Sequence, residues 1–287
     1  MIKITVPATT ANMGCGFDTL GCALNLYATF TFSKSDTFKV SGCPSEYQNE
    51  DNLVIQAYKK VFEYTKSKVF PVSLTIDSPI PVSRGLGSSA SCILGGILGA
   101  NALLDRPLTK EECLKLAVEM EGHPDNVAPA LLGSLCTSFM DEKVITTQFK
   151  VSDEIEMLVM IPDFKVSTEK ARELLPKQID FKDAIYNLSR VTSLCKALET
   201  NNRTVIKAAL KDRLHEPYRK TLIDEYDEVE KICENETAFF ISGSGPTLIC
   251  IPDQDPNHLI EKIKQLKNHW TCLILKADSE GAKEERV

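Results

Sequence analysis

Ile2, Ile4 and Val6 alternate with Lys3 and Thr5, the period-two pattern of a half-buried strand, and Pro7, which has no N–H for a sheet ladder, is expected to end it. Val72, Leu74 and Ile76 alternate with Ser73, Thr75 and Asp77 in the same way. Over residues 91–104 the alternation gives way to a small-residue, apolar run of helical length. Its most apolar part, residues 92–104, holds three glycines and Asn101 and is too short to cross a bilayer, so it predicts a buried helix. Thr109 and Glu112 form a capping box with Leu108 and Cys113 placed as a hydrophobic staple, which predicts a helix running to about Gly122.

Past Phe149 the pattern restarts. Residues 156–161 predict a buried strand, residues 168–175, 184–198 and 203–210 predict helices, and residues 238–241 and 248–251 predict strands. The charged stretch 281–287 predicts a mobile tail. Strands and helices mix in both halves without a regular βαβ repeat, which predicts an α+β protein of two subdomains dividing near residue 155. There is no internal repeat and no low-complexity segment.

Composition narrows the function classes. With 287 residues, 43% hydrophobic and 25% charged, the chain can form one large domain or two small ones. A net charge of -7 with no basic block argues against a nucleic-acid partner or a membrane-surface binder, while leaving room for a local pocket for a small anion. Ten cysteines are scattered with neither a C-x-x-C pair nor zinc-ligand spacing, the usage of reduced thiols in a cytoplasmic protein. Met1 opens no secretory signal.

The most informative stretch is Pro81-Val82-Ser83-Arg84-Gly85-Leu86-Gly87-Ser88-Ser89-Ala90-Ser91, between a predicted strand and a predicted helix. Gly85 and Gly87 can take positive φ and bring backbone N–H groups close to an anion. Ser88 and Ser89 then open the helix, where free N–H groups and the positive dipole end favour a phosphate. This is not a Walker A loop, since Gly87 is followed by two serines and no lysine. Nor is Gly14-Cys15-Gly16-Phe17-Asp18-Thr19 a dinucleotide fingerprint, because Thr19 stands where the third glycine belongs.

Taken together with two further segments, this loop resembles that of the GHMP kinases, the family of galactokinase, homoserine kinase, mevalonate kinase and phosphomevalonate kinase. Residues 81–90 match the family's P-x-x-x-G-L-G-S-S-A loop, and Ile241-Ser242-Gly243-Ser244-Gly245-Pro246-Thr247 matches its C-terminal glycine loop. Residues 7–18, Pro-Ala-Thr-Thr-Ala-Asn-Met-Gly-Cys-Gly-Phe-Asp, are similar to the homoserine kinase form of the first motif, and residues 121–129 add a fourth match. The resemblance implies a fold of two parts. Residues 1–155 would form an ATP-binding domain like the second domain of ribosomal protein S5, and residues 156–287 a ferredoxin-like domain. It also implies a homodimer, ATP and Mg2+ as cofactors, and L-homoserine as acceptor.

Site residues follow from the same resemblance. ATP would lie on residues 81–91 with Gly243, Ser244 and Gly245. Asn12, Asp18, His123, Thr168, Arg172 and Arg219 would line the acceptor site. Arg172 and Arg219 would grip its carboxylate, Asp18 its ammonium, and Asn12 and His123 its hydroxyl. Phosphoryl transfer needs a phosphate cradle, a metal and a grip on the acceptor. Glu121 shares an apolar helix face with Leu114, Ala117 and Val118, and it also falls where the family places its metal-binding glutamate, so Ser89 and Glu121 are the expected Mg2+ pair. Asp18, Asp125 and His123 are alternative bases, and the γ-phosphate itself is a fourth acceptor for the hydroxyl proton.

Each residue alone has a plainer reading. Glu121 could end its helix in solvent, Arg172 could be a solvated charge beside Glu169 and Glu173, and Arg219 a surface partner of Glu216. His123 could close a helix, Asn12 form a turn, and residues 243–246 be a tight turn between strands. A kinase for another small alcohol, or a nucleotide-binding sensor without catalysis, shares most of the pattern.

Overall fold

A computed structural model describes residues 1–286. The alternation at Ile2, Ile4 and Val6 is the buried face of β1 (Ile2–Ala11), which does not end at Pro7 as expected. It continues to Ala11 against β2 (Leu20–Lys34), because the register slips between Pro7 and Ala8. Such an irregularity lets a residue without an N–H sit in the strand.

The elements that follow are β3 (Lys39–Ser41), α1 (Leu53–Tyr64), β4 (Val72–Asp77), α2 (Ser88–Leu103), α3 (Lys110–Glu121) and α4 (Pro124–Leu132), then β5 (Leu135–Met140) and β6 (Val144–Phe149). The first sheet has the order β11-β1-β2-β4-β3, with the β5–β6 hairpin joined to the start of β2; its last strand is β11 (Lys283–Arg286). Helix α2 is buried, as its composition predicts, and its glycines have a packing reason. A Cβ on Gly95 or Gly99 would strike the rings of Phe30 and Phe32 on β2.

The second half holds β7 (Met157–Pro162), α5 (Thr168–Glu173), α6 (Phe181–Thr200), α7 (Arg203–Ala209), α8 (Glu216–Arg219), α9 (Tyr226–Cys233), β8 (Ala238–Ile241), β9 (Leu248–Ile251), α10 (Asn257–Ile263) and β10 (Trp270–Leu275). Its sheet is antiparallel throughout in the order β10-β7-β9-β8, the strand order of a ferredoxin-like unit. Val229 and Cys233 from α9, Leu259 and Ile263 from α10, and Trp270 build its core. Leu194 and Leu198 of α6 and Ile206 of α7 belong instead to the core of the first sheet, so the two halves share packing.

The expected mobile tail is a correction. Residues 283–286 pair antiparallel with β1, from Thr5 opposite Lys283 to Ile2 opposite Arg286, and Glu284 meets the Arg106 guanidinium at 2.5 Å. A run of charges reads as solvated tail, yet charged residues are also what a sheet edge carries to avoid pairing with other chains. Val287 lies outside the described residues.

The capping box closes in both directions between Thr109 and Glu112, and all ten cysteines are free thiols. Among the described residues no helix is long and apolar enough to cross a membrane.

Candidate active site

A cleft of about 380 Å3 gathers Asn12, Asp18, residues 82–89, Glu121, His123, Asp125, Thr168, Arg172, Arg219, Gly243 and Ser244. Pro81, Ala90, Ser91 and Gly245 do not line it; Ala90 and Ser91 are buried within α2.

The cradle forms where β4 hands over to α2. Gly85 and Gly87 have φ of 76° and 68°, and Gly87 caps α2 in the left-handed conformation. A Cβ on Gly85 would run into the Ser242 carbonyl. Ser242 Oγ donates to the Gly85 carbonyl at 2.6 Å, and Thr247 N–H donates to the Arg84 carbonyl at 3.3 Å, so the two glycine loops are seamed together. Ser88 and Ser89, in the first turn of α2, face the cleft, which presents unpaired helix N–H groups to an anion. Arg84 is employed otherwise: its Nε and Nη2 donate to the main-chain carbonyls of Pro162 and Asp163 at 3.0 and 2.7 Å. That ties the cradle to the end of β7.

Ser89 Oγ donates to Glu121 Oε2 at 2.7 Å. Glu121 closes α3 on the face buried through Leu114, Ala117 and Val118, while Glu119 is exposed. Burial pushes the Glu121 carboxyl above its usual range, against the opposing effect of the Ser89 hydroxyl. A hydroxyl and a partly desolvated carboxylate beside a phosphate cradle are the hard oxygen donors that suit a magnesium ion.

His123 caps α4, and its Nδ1 meets Asp125 Oδ1 at 2.5 Å. That bond raises the His123 pKa, burial working the other way. Asn12 has a φ of 70°, so it does form a turn. Its side chain also works: Nδ2 donates to the Gly243 carbonyl at 2.7 Å and Oδ1 accepts the Asp18 N–H at 3.0 Å. Thr168 Oγ1 lies 3.2 Å from Ser244 Oγ.

The end of the cleft around Asp18 is set by charge. Arg172 grips Asp18 through both Nη atoms, each at 3.0 Å, a fork geometry that a ligand carboxylate would equally satisfy. Arg219 is 2% exposed, and its Nη1 donates to the Gly243 carbonyl at 3.0 Å. It is not the surface partner of Glu216, whose carboxylate instead accepts the Ile241 N–H at 2.8 Å.

At the opposite end the family resemblance points only to Asn52 and Leu53, which do line the cleft; the mostly apolar wall of Gly42, Cys43, Pro44, Tyr47, Ile76, Ile80 and Cys92 beside them was not anticipated. Asn52, one of its neighbours, spends its side chain on capping α1 at Val54 and on the Tyr47 carbonyl. The wall depends on residues 42–47 folding back over β4 and carries no local signal.

A cradle at a helix N-terminus, seamed to a second glycine loop from a ferredoxin-like half, is the architecture of a small-molecule kinase, and comparison with known proteins agrees. The profiles "GHMP kinases N terminal domain" and "GHMP kinases C terminal" match residues 52–134 and 184–270, and the chain belongs to the GHMP kinase family. It is 44% identical over 289 residues to the homoserine kinase of Clostridium botulinum (strain Okra / Type B1), covering 98% of this chain and 97% of that protein. The crystal structure of homoserine kinase from Cytophaga hutchinsonii superposes with a TM-score of 0.87 at 25% identity, over 99% of this chain and 97% of that one. The phosphomevalonate kinase of Streptococcus pneumoniae, solved with phosphomevalonate and AMPPNP, shares the fold with a TM-score of 0.75 at 15% identity, over 96% of this chain and 100% of that one.

Proposed function

We propose that this GHMP kinase is a homoserine kinase, transferring the γ-phosphoryl group of ATP to the side-chain hydroxyl of L-homoserine and so serving threonine biosynthesis. The observation that carries the choice of acceptor is the forked Arg172–Asp18 pair beside the buried Arg219. A zwitterion entering there replaces one ion pair by three, its carboxylate meeting Arg172 and Arg219 and its ammonium meeting Asp18. A sugar or an uncharged alcohol would gain no ion pair from two arginines.

Positioning then does most of the work. Residues 82–89 hold the ATP phosphates, with Gly243 and Ser244 closing over the site. Asn12 and His123 orient the acceptor hydroxyl. Ser89 and Glu121 would hold Mg2+, which when bound neutralises charge on the transferring phosphate. Asp125 orients the His123 imidazole through Nδ1, which leaves Nε2 to donate to the acceptor hydroxyl when the ring is charged and to act as base when it is neutral. His123, Asp18 and the γ-phosphate oxygens are the groups that could take the hydroxyl proton.

Free thiols throughout support a cytoplasmic location, and the net charge of -7 supports the absence of nucleic-acid and membrane partners. A homodimer has a candidate contact in Phe181, Ile185 and Leu188, exposed along one side of α6.

The test is an ADP-release assay with Mg2+ and ATP, comparing L-homoserine with mevalonate, galactose and shikimate. Turnover confined to L-homoserine is expected. Turnover with another of these acceptors would keep the fold and overturn the arginine assignment. ATP binding with no turnover of any would leave a nucleotide sensor.

A further inference from the structure

Beneath the acceptor end lies a polar cluster that the proposed chemistry does not use. His215 and the Asp212 side chain are fully buried, and Asn187 is 2% exposed. Asp212 Oδ2 accepts the N–H groups of Leu214, His215 and Glu216 at 3.0, 2.7 and 2.8 Å, which fixes the turn that leads into Arg219. Asn187 Nδ2 donates both to Asp212 Oδ1 at 2.6 Å and to the Cys15 carbonyl at 3.1 Å. His215 Nε2 lies 2.9 Å from the Gly14 carbonyl. A carbonyl can only accept, so the hydrogen is on Nε2 and Nδ1 is left as an acceptor, 3.5 Å from Arg219 Nη1.

Phe17 completes the assembly. Its ring stacks on His215 at 5.2 Å and 23°, and the guanidinium carbons of Arg219 and Arg172 lie 5.1 and 6.0 Å from its centroid. Burial pushes the His215 pKa down to about 4, so near neutral pH the imidazole is uncharged and does not repel Arg219.

Gly14, Cys15 and Phe17 sit between Asn12 and Asp18, whereas Asp212 and His215 precede Arg219. We infer that His215, supported by Asp212 and Asn187, is a positioning residue for the acceptor: it holds the loop of residues 12–18 and Arg219 in one register, so that both ends of the amino acid are gripped at once. The inference rests on the proposed reading that Asn12, Asp18 and Arg219 bind the acceptor. Buried polar groups are costly unless satisfied, and a fully satisfied network rigidifies what it joins.

His215→Phe keeps the stack on Phe17 and removes both polar contacts, and His215→Gln returns an N–H donor near the Nε2 position. KM values for L-homoserine and ATP are measured separately. His215→Phe should raise the homoserine KM about tenfold, some 1.4 kcal/mol, with the ATP KM within about twofold, and His215→Gln should recover most of the loss. Should His215→Phe not fold, Phe17→Leu at its half-buried position makes the same test, with a homoserine KM raised at least about threefold. A folded variant with unchanged homoserine KM, equal rises in both KM values, or no rescue by Gln overturns the inference alone. A wild-type enzyme that does not turn over L-homoserine overturns the functional reading, and this inference with it.

Discussion

Gly85→Ala is the sharpest test of how the cradle is built, and Gly122→Ala is its matched control. Both glycines have positive φ, 76° and 95°, so an alanine at either carries the left-handed penalty of roughly 1–2 kcal/mol. They differ in what a Cβ would meet. At Gly122 nothing lies within 4 Å, whereas at Gly85 the new methyl would collide with the Ser242 carbonyl and come within 3.0 Å of the Gly245 carbonyl, both of them backbone. Overpacking against groups that cannot rotate away adds about 1–3 kcal/mol, and displacing the 2.6 Å Ser242–Gly85 hydrogen bond adds about 1 kcal/mol. Gly122→Ala should therefore cost about 1–2 kcal/mol and Gly85→Ala about 3–6 kcal/mol. Urea unfolding followed by circular dichroism and by the fluorescence of Trp270, the only tryptophan, measures both; the two probes must coincide for a single free energy to apply. Gly85→Ala should also raise the ATP KM, because the loop moves. If Gly85→Ala proves no less stable than Gly122→Ala, the close approach of the two glycine loops is not what that position requires.

Glu121→Gln should lower kcat roughly 100-fold and raise the Mg2+ concentration for half-maximal rate; an unaltered Mg2+ titration would place the metal elsewhere. Arg172→Ala and Arg219→Ala should each raise the homoserine KM by about 10- to 100-fold, and unchanged values would remove the carboxylate clamp. Asp18→Asn should cost affinity at least as much as kcat, while a large kcat loss at constant KM would identify Asp18 as a base. Burial raises the Glu216 pKa from 4.5 to about 8. Folding then takes up a proton between those values, so this group's contribution falls as pH rises through that window. Glu216→Gln, which can still accept the Ile241 N–H, should gain on the wild type in urea stability between pH 5 and 8, by an amount on the order of a few kcal/mol; parallel pH profiles would contradict the assignment. Arg84→Met should raise the ATP KM several-fold and leave that for homoserine unchanged, since the guanidinium anchors the cradle at Pro162 and Asp163.

What could be read along the chain was local. The capping of α3 by Thr109 and Glu112, the alternation of β4, the strands of residues 238–241 and 248–251, and the glycines at 85 and 87 each express interactions made within a few residues. The family motifs are legible for the same reason, because each is a contiguous run of residues. Even the Ser89–Glu121 pair could be anticipated: an acid on the apolar side of an amphipathic helix announces that it faces something other than water.

Tertiary structure decided the rest, because those choices depend on partners far away in sequence. Pro7 stands inside a strand only because β1 and β2 slip in register beside it, and the charged residues 283–286 become a strand only because the edge of β1 is open to them. Arg84 belongs to a phosphate motif, yet its guanidinium is taken by two carbonyls at the end of β7. Arg219 is distinguished from an ordinary surface arginine by burial against Gly243, and His215 is given a single tautomer by the Gly14 carbonyl, 201 residues away in sequence. Sequence by itself determined which chemistry the chain could carry, since residue type sets donors, acceptors and backbone freedom. Only folding determined which of those groups are desolvated and already engaged, and that is what separates a ligand from a support.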